Sequence, residues 1–184
     1  MGSDHVFMWQ RALRVVLAAL MFCSVAGCSV PEDGYVGVDR SESGDLTVYV
    51  RTCSHPMDGA TLYWPDDPTG ANSNEEFFAD WTVHRQSRSL AVSWPLLGPG
   101  GSGVYATRQL LSLPPTTKNM AIYAWTERDR YSAHGPYQFT AQDVNGLKDG
   151  QILIANRTVD GSGAPNKVVT HTEFERIDCS QFAY

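Results

Sequence analysis

Leu46-Thr47-Val48-Tyr49-Val50 alternates strictly between apolar and polar-tolerant positions, putting Leu46, Val48 and Val50 on one face. A period of two is the signature of a half-buried β-strand, because successive side chains point to opposite faces of a pleated chain. Moving C-terminal, the same reading recurs. Ala60 to Trp64 follows the Met57-Asp58-Gly59 turn signal, and Trp81 to Arg85 alternates again. Leu90, Val92, Trp94 and Leu96 share parity and end at the glycine-rich Gly98 to Gly103, read as a flexible hairpin loop. Tyr105 to Leu113 stops at Pro114-Pro115, and Met120 to Thr126 carries Tyr123 and Trp125 on one face. Pro136 to Ala141 precedes the turn-rich Asp143-Val144-Asn145-Gly146. Gln151 to Ala155 is continuously apolar, as a strand buried on both faces should be. Lys167 to Cys179 reads as the last strand. Its parity changes between Phe174 and Ile177, which predicts a β-bulge there.

No stretch sustains a 3.6-residue apolar period. Asn74 to Trp81 comes nearest and predicts one short helical turn. About eight or nine short strands separated by Gly, Pro and Asn turns predict an all-β domain over residues 46–184. The expected architecture is a single antiparallel β-sandwich, immunoglobulin-like in arrangement. Parity places Trp81 and Trp94 in its core.

N-terminal to that domain the composition changes twice. Ser29 to Asp45 lacks periodicity and is rich in Gly, Ser and acids, so residues 28–45 are expected to be a flexible tether with a reach of about 20–25 Å. Before it, Arg11 and Arg14 precede the uncharged run from Val15 to Ala26. That run is shorter than the ~20 apolar residues a spanning helix requires. A positive start, a short apolar centre and small residues at the end mark a cleaved signal over residues 1–27. A start at Met8 would give a cleaner positive region than Met1, whose first residues include Asp4 and His5.

Val25-Ala26-Gly27-Cys28 closes this segment. The four residues resemble the bacterial lipobox, an aliphatic residue and two small residues before cysteine. The resemblance implies cleavage before Cys28, a lipid on its sulfur, and a chain held on the extracytoplasmic face of the cell membrane. Each buried methylene of an acyl chain contributes about 0.8 kcal/mol, so two chains anchor without a basic patch. More broadly the chain resembles small envelope lipoproteins of high-GC Gram-positive bacteria, and arginine outnumbering lysine fits such a genome.

Charge agrees with that address. The whole chain carries a net −6, and loss of Asp4, Arg11 and Arg14 takes this to −7. An acidic balance argues against nucleic acid or anionic headgroups as partners. In an oxidising compartment the two cysteines that remain, Cys53 and Cys179, are expected to form a disulfide.

Motifs with chemistry are scarce. Asp66, Asp67, Asn72, Asn74, Glu75 and Glu76 form an acidic stretch whose spacing matches no calcium loop. His55, His84, His134 and His171 lack metal-ligand spacing, so no metal or other cofactor is expected. His171 and Glu173 share a face of the last predicted strand, the pattern of an acid–base pair and also of an exposed edge. Gly100-Gly101-Ser102-Gly103 is neither a nucleophile elbow nor a phosphate loop. Aromatics are the remaining lead. Trp64, Tyr131 and Tyr137, with Arg128 and Arg130 beside Tyr131, are the candidate ligand-binding residues, since exposed aromatics and arginines anchor partners. The functional expectation is a membrane-anchored binding module for an envelope protein or wall glycan. The alternatives are an envelope hydrolase whose site is assembled from distant residues, or an assembly accessory. No catalytic residue is assigned by spacing.

Overall fold

The computed structural model describes residues 30–65, 76–116, 118–126, 130–156 and 166–182. Cys28 and the whole signal segment lie outside them, as do Asp66 to Glu75 and Arg128.

Eleven strands and two short helices make up the described chain. The strands are β1 (Glu32–Arg40), β2 (Leu46–Thr52), β3 (Gly59–Trp64), β4 (Glu76–Val83), β5 (Ala91–Pro95), β6 (Gly98–Gly101), β7 (Val104–Leu110), β8 (Ala121–Trp125), β9 (Ser132–His134), β10 (Gln151–Ala155) and β11 (Asn166–Thr170). Helix α1 spans Ala141–Asn145 and α2 spans His171–Glu175. The all-β expectation holds. The strands, however, belong to one mixed sheet rather than to two antiparallel ones, because β1 runs parallel to β9. Around the wall the order is β5-β2-β1-β9-β8-β3-β4-β7-β6. Leu96-Leu97 then joins β5 directly to β6, so the two ends of the order meet in a nearly closed, barrel-like shape.

The tether expectation is corrected by β1. Residues 32–40 form a strand buried along almost all its length. On one edge Gly34 to Arg40 pair antiparallel with β2. The other edge is shared: its N-terminal half meets β9 and its C-terminal half meets β10. Val36 and Val38 point into the barrel, while Tyr35 packs outward with Ile152, Ile154 and Phe174. Two glycines hide this strand from an apolar-period reading, yet both are required. At Gly34, with φ of +149°, a Cβ would fall on the Arg51 carbonyl oxygen. At Gly37 it would fall on the Ile152 side chain, 3.3 Å from the Phe174 ring.

The barrel interior is lined by a buried apolar cluster. Trp81 and Trp94 sit at its centre with ring centroids 5.8 Å apart, as parity placed them. Gln151 to Ala155 is buried as expected, Leu153 facing the barrel and Ile152 and Ile154 the outer cluster. Residues 76–83 are strand β4 rather than a helical turn, because they pair with β3 and β7 and place Ala79, Trp81 and Val83 in the core.

The last expected strand also ends early. β11 stops at Thr170, whose side chain accepts a hydrogen bond from the Glu173 amide while the Glu173 carboxylate accepts one from the Thr170 amide. This reciprocal cap satisfies donors that a helix start leaves open. The turn it nucleates, not a bulge, changes the parity before Ile177. Thr140 and Asp143 cap α1 in the same way, where a plain turn was expected. Cys179 follows in a 3-10 turn and is bonded to Cys53, with Cα atoms 5.6 Å apart. The disulfide thus fastens a C-terminal arm, residues 166–182, across the outside of β1 and β2.

Candidate functional site

The expected aromatic rim is not assembled. Gly59 pairs with Trp125 at one end of the β3–β8 ladder and Tyr63 with Ala121 at the other. Trp64 and Tyr131 flank opposite ends, separated by roughly 15 Å at ~3.4 Å per residue. Trp64 is half-buried and holds the Lys118 ammonium 4.3 Å above its ring. Tyr131 stacks on His55, with centroids 3.6 Å apart and planes 9° from parallel. His55 is itself fixed by Asp33, a buried carboxylate that also accepts from the Ser54 and His55 amides. Tyr137 is exposed, but its backbone is clamped on both sides by the Asn166 side chain. Arg130 is exposed. Trp64, Tyr131 and Tyr137 thus have structural partners, and none of them lines the two clefts described next.

Two clefts lie elsewhere on the outer wall. The larger, about 420 Å³, sits where β4 leaves the sheet; Thr82 and Val83 form its floor, and His84, Arg85, Gln86, Arg88 and Tyr105 its sides. Its construction is local. The chain after Val83 enters a 3-10 turn at Arg85–Ser87, closed by the Ser87 amide donating to the His84 carbonyl. Arg88 then bonds the buried Asp58 carboxylate at 2.6 Å. Arg85 has no acidic partner among the described residues, so the cleft carries an uncompensated positive charge on an acidic protein.

Cross-strand register extends this cleft into a platform. Trp125 pairs with Gly59, Gly59 with Thr82, and Thr82 with Tyr105, so these side chains share the outer face in one row. A Cβ on Gly59 would strike the Trp125 indole, so the missing side chain is what lets that ring lie across the strand. Trp125 Nε1 donates to Thr61 Oγ1 at 3.0 Å, Thr61 Oγ1 to Asp80 at 2.8 Å, and Thr107 Oγ1 to Asp80 at 2.8 Å. Tyr105 is 43% exposed and lies 4.8 Å from His84, centroid to centroid. An arginine with no ion-pair partner beside open aromatic faces suits a ligand carrying both an anionic group and a flat, weakly apolar face.

The second cleft, about 240 Å³, opens between the C-terminal arm and the outer face of β2 and β5. Tyr49, Arg51, Ser93, His171, Phe174 and Glu175 line it with Val92. His171 heads α2 rather than lying on a strand face with Glu173. Its Nε2 is 2.8 Å from Asp39 Oδ2, a carboxylate buried on β1. Glu173 is engaged in the Thr170 cap, whose hydrogen bonds hold its pKa below the usual carboxylate value. The Tyr49 ring meets His171 edge-on at 4.9 Å. Burial raises the Tyr49 pKa above its ordinary 10, and the neighbouring Asp39 charge adds to that rise. Among the described residues no three His, Cys, Asp or Glu side chains gather to hold a metal ion.

Neither cleft was found by sequence spacing, since both depend on register between strands far apart in the chain. The capping spacing Thr170-x-x-Glu173 was a local signal that could have placed His171 at a helix start, but the stretch was read as strand. No family model, curated protein or solved structure matches the chain.

Proposed function

We propose that the protein is a lipid-anchored, extracytoplasmic binding module whose ligand is an envelope glycan bearing a carboxylate. The observation that carries this reading is the cleft of Arg85, His84 and Tyr105, open to solvent and continuous with the Trp125 row. A sugar ring presents C–H groups on one face that pack on an exposed aromatic ring, and its hydroxyls exchange hydrogen bonds with groups such as Gln86 and Thr82. The carboxylate pairs with the Arg85 guanidinium in a bidentate fork. The cavity volume accommodates one or two sugar rings. A lipid on Cys28 would hold the module at the membrane, where such glycans are within reach of a short linker.

Calorimetric titration with soluble wall fragments tests this. Wild-type protein is expected to bind fragments that carry a carboxylated sugar, and to bind neutral oligosaccharides at least about tenfold more weakly. Arg85→Gln and Tyr105→Ala each remove one anchor and should each cost about 1–3 kcal/mol of binding. Neither side chain is buried in the core, so both variants should keep the wild-type melting temperature. Equal affinity for charged and neutral fragments, or no loss in either variant, contradicts the assignment.

A further inference from the structure

The second cleft holds a pair of groups that the binding function does not use. Asp39 and His171 are brought together from opposite ends of the domain by the β1–β10–β11 ladder and the cap at Thr170. Asp39 is buried while the His171 side chain is about one-third exposed and lines the cavity. Asp39 engages Nε2, which leaves Nδ1 as the ring nitrogen available to another partner. Arg51 lines the same cavity, and its Nε is buried without a hydrogen-bond partner. Phe174 supplies an apolar wall. A carboxylate-oriented imidazole, a guanidinium whose Nε has no partner among the described residues and a small recess are the parts of a general-base site for acyl transfer.

We propose that this cleft hydrolyses small carboxylic esters, with His171 as general base, Asp39 as the positioning residue and Arg51 as the oxyanion partner. Water is the nucleophile. His171 Nδ1 takes one proton from water as its oxygen bonds to the ester carbonyl carbon. The electron pair of the carbonyl bond moves to the carbonyl oxygen, which becomes the oxyanion paired with Arg51. As that carbonyl re-forms, the bond to the alcohol oxygen breaks, and the departing alkoxide takes the proton back from His171. One ester and one water yield one acid and one alcohol, with the imidazole restored. Asp39 steadies the imidazolium formed midway. The acyl group is short, because the recess is small, about 240 Å³, and Phe174 closes one side of it. The ionisable groups around His171 are Asp39 from β1, Tyr49 and Arg51 from β2, and Glu175 from its own helix.

The test is hydrolysis of p-nitrophenyl acetate by the full-length, disulfide-intact chain. Its kcat/KM is expected to exceed the rate constant of free imidazole by at least about 100-fold. His171→Gln should remove that excess. Asp39→Asn should lower kcat with little change in KM and displace the pH profile, a readout that a merely structural carboxylate would not move. Arg51→Gln, whose Nε has no hydrogen-bond partner to lose among the described residues, guards against misfolding of the other two and should lower kcat by at least about tenfold. A wild-type rate no greater than that of imidazole overturns the proposal. So does an Arg51→Gln protein that hydrolyses the ester at the wild-type rate.

Discussion

Gly34→Ala is expected to unfold the protein or to lower its stability by about 2–6 kcal/mol, taking the strain and overpacking ranges together. Gly34 has a φ of +149°, a region L side chains rarely adopt. The added methyl would also fall on backbone, not on a side chain that can swing away: the Arg51 carbonyl oxygen and, at 2.7 Å, the Thr52 Cα. Gly34 pairs with Thr52 in the β1–β2 ladder, so relief requires the two strands to separate where β1 also meets β9. Domains of this size are stable by only about 5–15 kcal/mol. Guanidinium denaturation of the variant should therefore show a large fall in midpoint or no folded baseline. A midpoint equal to wild type would show that residues 32–40 are peripheral and that β1 is misassigned.

Breaking the disulfide is expected to have the next largest effect. Cys53 and Cys179 are separated by 126 positions. Closing a loop of that length removes chain entropy from the unfolded state worth about 4–5 kcal/mol. Cys53 follows β2, and its amide donates to the Asp33 carbonyl at 2.9 Å, so that end is rigid. The Cys179 end belongs to the arm, which otherwise rests on Phe174, on the β10–β11 ladder and on the His171–Asp39 pair. Replacing both cysteines by serine should lower the melting temperature by about 10–20 °C. The reduced wild-type protein should melt with the double variant. Equal melting temperatures with and without reductant would mean that the arm is held without the disulfide.

Much of the barrel was legible because its interior imposes a period of two. β2 shows this most clearly, with every second residue buried from Leu46 to Thr52. Trp81 and Trp94 fell in the core for the same reason. Cys53 and Cys179 were paired by elimination on the expectation of an oxidising compartment, and the disulfide is present. β1 was not legible, because it is buried on both faces yet spends two positions on glycine and one on Asp39. Its environment comes from three partner strands and the arm, none of them local in sequence. The stretch before Trp81 looked helical because Phe77, Phe78 and Trp81 come nearest to a 3.6-residue apolar period, whereas pairing on both edges of β4 decides its state. The expected aromatic rim failed for a geometric reason. Trp64 and Tyr131 both sit near strand ends, but sequence does not say which end of the barrel each strand end reaches. The cleft at Arg85 and Tyr105 has the converse origin. Each residue is unremarkable alone, and the register of Thr82 against Tyr105 unites them.

The central claim is that the cleft at the end of β4 is where this protein meets its ligand. Amide chemical-shift mapping tests it most directly, recording ¹⁵N-labelled protein during titration with a carboxylated wall disaccharide. The account predicts saturable shifts at Thr82 to Arg88 and at Tyr105, extending to the Trp125 indole and leaving the β10–β11 arm unmoved. Shifts concentrated at Trp64, Tyr131 and Tyr137 with none at Tyr105, or no saturable shift anywhere, would contradict it.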